Sequence, residues 1–264
     1  MTQARGSWLK TVVLLQKAYG AYRGRLLETI RSEVSEMVAE LDVQITSVGT
    51  DKKDHIIVRI DGNDEEFVGN ALSKEYGRSL QSDNLVPNKP YPGQLIDVGK
   101  VGYGLYSDVG VTDSKRMDAL IPLHQLRNQL DFHGPLRTIS EAFVLVDYLP
   151  VEVNITGIDL YNERVEAEFN QSTLTRISDW MQDDHERLLV FGANQNQIES
   201  SLKKTNHRED IYEIEKLSKF EFSLRCKRST RASGILAAIG PRLRGVPMHL
   251  FIPKELEAKQ NAKT

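Results

Sequence analysis

The chain has 264 residues, 40% hydrophobic and 27% charged, a length that fits two or three domains and a composition that excludes a disordered or fibrous chain. A single cysteine, Cys226, excludes an intramolecular disulfide and a cysteine-based zinc site, and no run of about 18 apolar residues offers a membrane span. The formal net charge of −3 hides a split: residues 1–90 carry 12 basic and 13 acidic side chains, 91–186 carry 7 and 16, and 187–264 carry 15 and 8. An acidic middle beside a basic last third points to an anionic partner for one part alone. Residues 1–20 lack an apolar core with a small-residue cleavage site, so a cytoplasmic location without membrane contact is expected.

In chain order, Thr11 to Leu15 reads as a strand, and Tyr22 to Leu41 repeats apolar residues at helical spacing. Val43 to Val48 and His55 to Ile60 read as a hairpin joined by a polar turn, and Phe67 to Tyr76 as a helix stopped by Gly77. This β-α-β-β-α pattern assigns residues 1–78 to a small α+β domain. Three prolines mark 79–92 as a linker. From Gly93 the chain alternates apolar and polar residues and is dense in glycine. Glycine inside strands marks the bends that a tightly coiled barrel needs. With strands at Ala119 to Leu123, Val151 to Ile158 and Arg164 to Phe169, and helical turns within Gln125 to Tyr148, residues 93–170 read as an OB-type five-stranded barrel. A connecting helix is expected over 171–186. The order strand, helix, strand, strand, helix, strand over 187–254 is the ferredoxin-like βαββαβ, followed by a tail at 255–264. The fold class is therefore multidomain α+β with a central β-barrel.

The central block resembles the RNA-binding OB-fold repeated in ribosomal protein S-one. The resemblance rests on the aromatic-Gly-x-aromatic step Tyr103-Gly104-Leu105-Tyr106, on Ala119-Leu-Ile-Pro-Leu-His, and on the closing strands Val151 to Asp159 and Arg164 to Ala167. Two features depart from that pattern. Pro122 stands where the family has a histidine, with His124 two places later, and the loop before the closing strands is long. The whole chain also looks like an archaeal family named domain of unknown function 2110. Gly99-Lys-Val-Gly-Tyr-Gly-Leu-Tyr, Ala-Leu-Ile-Pro-Leu-His, and the Cys226-Lys-Arg stretch leading to Ile239-Gly-Pro-Arg-Leu carry that likeness. It implies an archaeal origin and no activity.

In the barrel, Tyr103 and Tyr106 offer rings for base stacking, Lys100 a contact for a phosphate and Arg164 a group that stacks or pairs; the alternative is that at least one tyrosine packs in the barrel and the lysine is solvated. Three apart on a strand, the tyrosines are expected on opposite faces unless a bulge at Gly104 re-aims one. The acidity of this block argues against strong phosphate binding and for a protein contact instead. From Lys216 to Lys254 stand nine basic residues and one acid, Glu221. Arg225, Lys227, Arg228 and Arg231 are expected at a strand end and a helix start, with Ser229 or Thr230 as cap and free backbone N–H groups for a phosphate. Arg242 and Arg244 are expected to leave the far end of that helix.

No catalytic motif emerges. Gly102-Tyr-Gly-Leu-Tyr-Ser lacks the third glycine of a dinucleotide loop, and no Walker-type loop is present. His185 beside Asp183 and Asp184 reads as a helix end rather than a metal site. Cys226 lies between two cations that favour a thiolate, yet has no histidine partner. The expectation is a non-catalytic protein without cofactor or metal. It binds RNA or a ribonucleoprotein, with the ribosome and RNA polymerase as candidate partners. The alternative is an adaptor whose acidic barrel meets a basic protein. Oligomeric state is not legible.

Overall fold

In the computed structural model, residues 9–113 and 117–261 are described. The chain divides into two compact units, one ending at Ser79 and one beginning at Leu80. In the first, β1 (Lys10–Lys17), β2 (Val43–Thr50) and β3 (His55–Gly62) form an antiparallel sheet in the order β1-β3-β2. Helix α1 (Arg23–Met37) buries Leu26, Ile30 and Val34, and α2 (Glu65–Tyr76) buries Val68 and Leu72. These stripes meet the alternating Ile56, Val58 and Ile60 of the central strand, which are fully buried. The βαββα order is as the sequence suggests.

The second unit starts with the barrel. Its strands are β4 (Pro90–Ile96), β5 (Gly104–Asp108), β6 (Ala119–Pro122), β7 (Pro150–Asp159) and β8 (Arg164–Phe169). They close in the order β4-β5-β6-β8-β7, with β6 and β8 the one parallel pair. This is an OB-like barrel. Two short helices, α3 (Leu123–Leu130) and α4 (Leu136–Phe143), fill the connection between β6 and β7. Leu95, Leu105, Ile121, Val153, Val165 and Ala167 occupy the interior. The glycines permit the tight coil: a Cβ at Gly104 would lie 2.5 Å from the Ile121 carbonyl oxygen.

The stretch read as a linker departs from expectation. Leu80 bridges to Val111, and the strand β4 already begins at Pro90. Its prolines are tolerated because Pro90 starts the strand, where a missing N–H costs little.

Helix α5 (Gln171–Gln182) leaves the barrel, tied to it by Thr173, whose hydroxyl donates to the Glu152 carbonyl and accepts from the Glu152 N–H. The remaining strands β9 (Arg187–Phe191), β10 (Ile211–Lys216), β11 (Glu221–Cys226) and β12 (Met248–Phe251) form an antiparallel sheet in the order β10-β11-β9-β12. With α6 (Gln195–Lys204) and α7 (Ala232–Ile239) between them, this is the ferredoxin-like βαββαβ. Helix α7 ends earlier than its apolar run suggests, because Gly240-Pro241 converts the chain to a 3-10 turn. The residues read as a tail form α8 (Pro253–Asn261), which buries Leu256. Among the described residues no helix is long and apolar enough to cross a membrane.

Candidate nucleic-acid interface

Tyr103 precedes the first residue of β5, so strand alternation does not extend to it. Its carbonyl accepts from the Leu123 N–H, and its ring turns to the same outer face as Tyr106. The two hydroxyls lie 2.8 Å apart and the rings meet edge-to-face at 6.3 Å. The expectation of opposite faces is thereby corrected without a bulge. The Tyr103 hydroxyl, followed by partial burial, pushes the Tyr106 phenol up to about 12. Both rings, with Asp118, Leu120, Glu163 and Arg164, line an open cavity of about 320 Å3 that Val165 and Glu166 complete.

The β7–β8 turn extends the face, whereas Lys100 does not line the cavity. Tyr161 is 94% exposed and Leu160 is 51% exposed in the β7–β8 turn. Asp159 shapes that turn by accepting from the Asn162 N–H and side-chain amide. Lys100 lies in the β4–β5 loop, where its ammonium pairs with Asp97 at 2.6 Å. In OB-folds the second and third strands and the loops after the first and fourth carry the ligand. Lys100, Tyr103 and Tyr106 fall on those elements, and Arg164 opens the fifth strand directly after the β7–β8 turn. Sequence reading missed Tyr161 and the carboxylates of the cavity. An aromatic within the turn-forming Asp159-Leu-Tyr-Asn was the available signal for Tyr161.

The basic residues expected to meet a phosphate separate, with Lys254, into three groups. Lys227, Arg228 and Arg231 join Lys254 around a smaller cleft of about 130 Å3, together with Asp184 and Glu186. Arg231 pairs with Glu186 at 2.5 Å and Lys254 with Asp184 at 3.3 Å. Lys227 and Arg228 are exposed, and no carboxylate among the described residues pairs with them. The expected open helix N-terminus is corrected. Arg231, not Ser229 or Thr230, is the N-cap residue of α7, and Glu186 accepts from the Ala232 N–H at 2.8 Å. The protein's own carboxylate thus occupies the position where an external anion would sit.

Arg225 belongs to the second group. Its guanidinium holds Asp183 through two nitrogens at 2.8 and 3.0 Å and lies 5.0 Å over the Tyr212 ring. Asp183 also binds Arg187 at 2.8 Å; Arg187 in turn reaches Glu215 at 3.2 Å and lies over Trp180. This network joins α5 to the C-terminal sheet and is largely buried. Arg242 and Arg244 form the third group. They are exposed at the opposite end of α7, which eight residues at about 1.5 Å each place roughly 12 Å away.

The remaining reactive side chains are held by the fold. Cys226 is fully buried, and burial pushes its thiol up to about 12, opposite to the effect expected of its cationic neighbours. His185 Nδ1 lies 2.7 Å from the Cys226 carbonyl oxygen.

No curated protein matches the chain in sequence. Among solved structures, an uncharacterized protein of Methanocaldococcus jannaschii aligns at 12% identity with a TM-score of 0.24, over 33% of this chain and 96% of that one. The a/eIF2alpha-aDim2p-rRNA complex of Pyrococcus horikoshii aligns at 8% identity with a TM-score of 0.25, over 46% of this chain and 64% of that one. The family comparison is far more extensive. Residues 11–82, 85–181 and 185–250 match the N-terminal, central and C-terminal domains of DUF2110 in turn, and the chain belongs to that family.

Proposed function

We propose that the protein is a non-catalytic RNA- or ribonucleoprotein-binding protein. The barrel face takes bases, and the cleft around Lys227 and Arg228 takes phosphates. The observation that carries this reading is the convergence of Tyr103, Tyr106 and Arg164 on one open cavity of an OB-like barrel. Aromatic platforms hold single-stranded bases at roughly 1–3 kcal/mol each, beside cations that track the backbone. Lys227 and Arg228 supply the electrostatic contribution, because no carboxylate among the described residues pairs with them. Among the other cations, Arg225 supports the fold rather than the ligand.

Fluorescence anisotropy with labelled single-stranded RNA across a salt series tests the reading. Binding that weakens with salt, and that Tyr103→Ala impairs, is the expected result. Failure of the intact protein to bind any RNA at low ionic strength overturns it. The three carboxylates of the cavity favour a second reading, in which the barrel receives a basic segment of a protein partner. A partner retained after nuclease treatment would support that alternative.

A further inference from the structure

One row of residues crosses the outer wall of the barrel in register. Tyr106 on β5 pairs with Leu120 on β6, Leu120 with Glu166 on β8, and Glu166 with Gly157 on β7. Neighbouring strands lie about 4.8 Å apart, so Tyr106 and Glu166 stand roughly 10 Å from each other with one leucine between them. Tyr106 and Leu120 are half-buried, which leaves a low apolar floor, and Glu166 is exposed at its far edge. Gly157 has no side chain to cover the carboxylate; a Cβ there would still lie 3.8 Å from the Cβ of Glu166. Among the described residues no group hydrogen-bonds or ion-pairs with Glu166.

We infer that this row selects adenine and cytosine, which carry an amino group at purine C6 or pyrimidine C4, over uracil, which carries a carbonyl oxygen there; the inference rests on the RNA reading above. A base lying on Leu120 beside the Tyr106 ring directs one edge at Glu166. An ionised carboxylate only accepts hydrogen bonds. Adenine N6 and cytosine N4 donate there, whereas uracil presents its O4 acceptor and meets repulsion. Asp118 and Glu163 on the same cavity disfavour a phosphate inside it, so the backbone runs outside. Arg164, at the start of β8, is the cation on the cavity wall and is available to a phosphate at the rim.

The test is anisotropy of the full chain with labelled short homopolymers of adenosine, cytidine and uridine at one ionic strength. Uridine is expected to bind about tenfold more weakly, the loss of one hydrogen bond to a charged group. Glu166→Gln, an exposed substitution checked by thermal melting, supplies an amide that both donates and accepts, and should bring the three affinities together. Equal binding of the three by the native protein, or discrimination that survives Glu166→Gln, overturns the inference while RNA binding stands. Absence of binding to all three overturns the RNA reading itself. So does a lysine-rich peptide that binds the cavity while RNA does not and that Glu166→Gln weakens.

Discussion

The barrel face and the basic cleft carry opposite charge and differ more in how that charge is used. In the cleft and beside it the cations are largely answered from within: Arg225 by Asp183, Arg231 by Glu186, Lys254 by Asp184. On the barrel face, two phenols bond to one another and Glu166 has no partner among the described residues. The acids that quench the cleft come from 183–186, a run that precedes β9 and counts with the barrel in a linear tally. Assigned to the domain they serve, those three acids leave residues 91–186 at −6 and the last third at +4. Available charge, rather than total charge, decides what a surface can attract, and by that measure the two surfaces are closer than the sequence suggests.

Five experiments would sharpen or break this contrast. The largest effect on stability belongs to Arg187→Ala, which removes the cation shared by Asp183 and Glu215, leaving Asp183 to Arg225 and Glu215 to the Trp180 indole, and is expected to cost about 3 kcal/mol, the low end for breaking a buried pair, read as a clear fall in melting temperature. A melt close to that of the native protein would show that the network is not structural. Replacing both Tyr103 and Tyr106 with alanine should lower RNA affinity by about 2–6 kcal/mol in sum, at roughly 1–3 for each lost stacking platform, with little change in salt dependence. Lys227→Ala and Arg228→Ala should instead flatten the logarithmic salt slope by about 0.7 each, as expected for lost phosphate contacts on a single strand. Arg225→Ala should leave that slope unchanged, and a slope that falls equally for all three would erase the division drawn here.

The smallest effect is a titration. The Tyr106 phenol is raised to about 12 in the folded state, above its ordinary value near 10. Its contribution to stability is therefore complete below pH 10 and lost as pH rises from 10 through 12. Ultraviolet difference titration should find a late-ionising phenol in the native protein, and Tyr103→Phe should move it toward 10 by removing the hydroxyl bond. Cys226 follows the same logic: its thiol should resist aromatic disulfide reagents at neutral pH until the protein unfolds.

Much of the fold was legible because local pattern and long-range pairing agree. Alternation in His55–Gly62 and the glycine spacing of the barrel each express one packing requirement, and the structure meets both. The linker over 79–92 was misread because prolines that punctuate a sequence also fit the opening residues of β4, which pair with β7 before pairing with β5 begins at Gln94. The tail was misread because α8 shows a weakly amphipathic sequence, and its order depends on burying Leu256. At the candidate sites the residue types were legible but their partners were not. Arg225 and Lys227 are two apart and look alike in a sequence, yet only Arg225 has Asp183 across from it. The meeting of Tyr103 with Tyr106 depends on where β5 begins, a boundary that no periodicity marks. Tyr161 was missed because an exposed aromatic in a turn produces no pattern at all.

The closure of the barrel has a further consequence for recognition. Each of its strands has two hydrogen-bonded neighbours, so among the described residues no barrel strand is left open along its whole length for a partner's backbone to add as another strand. Whatever docks there must be read by side chains and turns. Preference is then set one residue at a time, and a change at position 120 or 166 can retune what the protein prefers without disturbing how it folds.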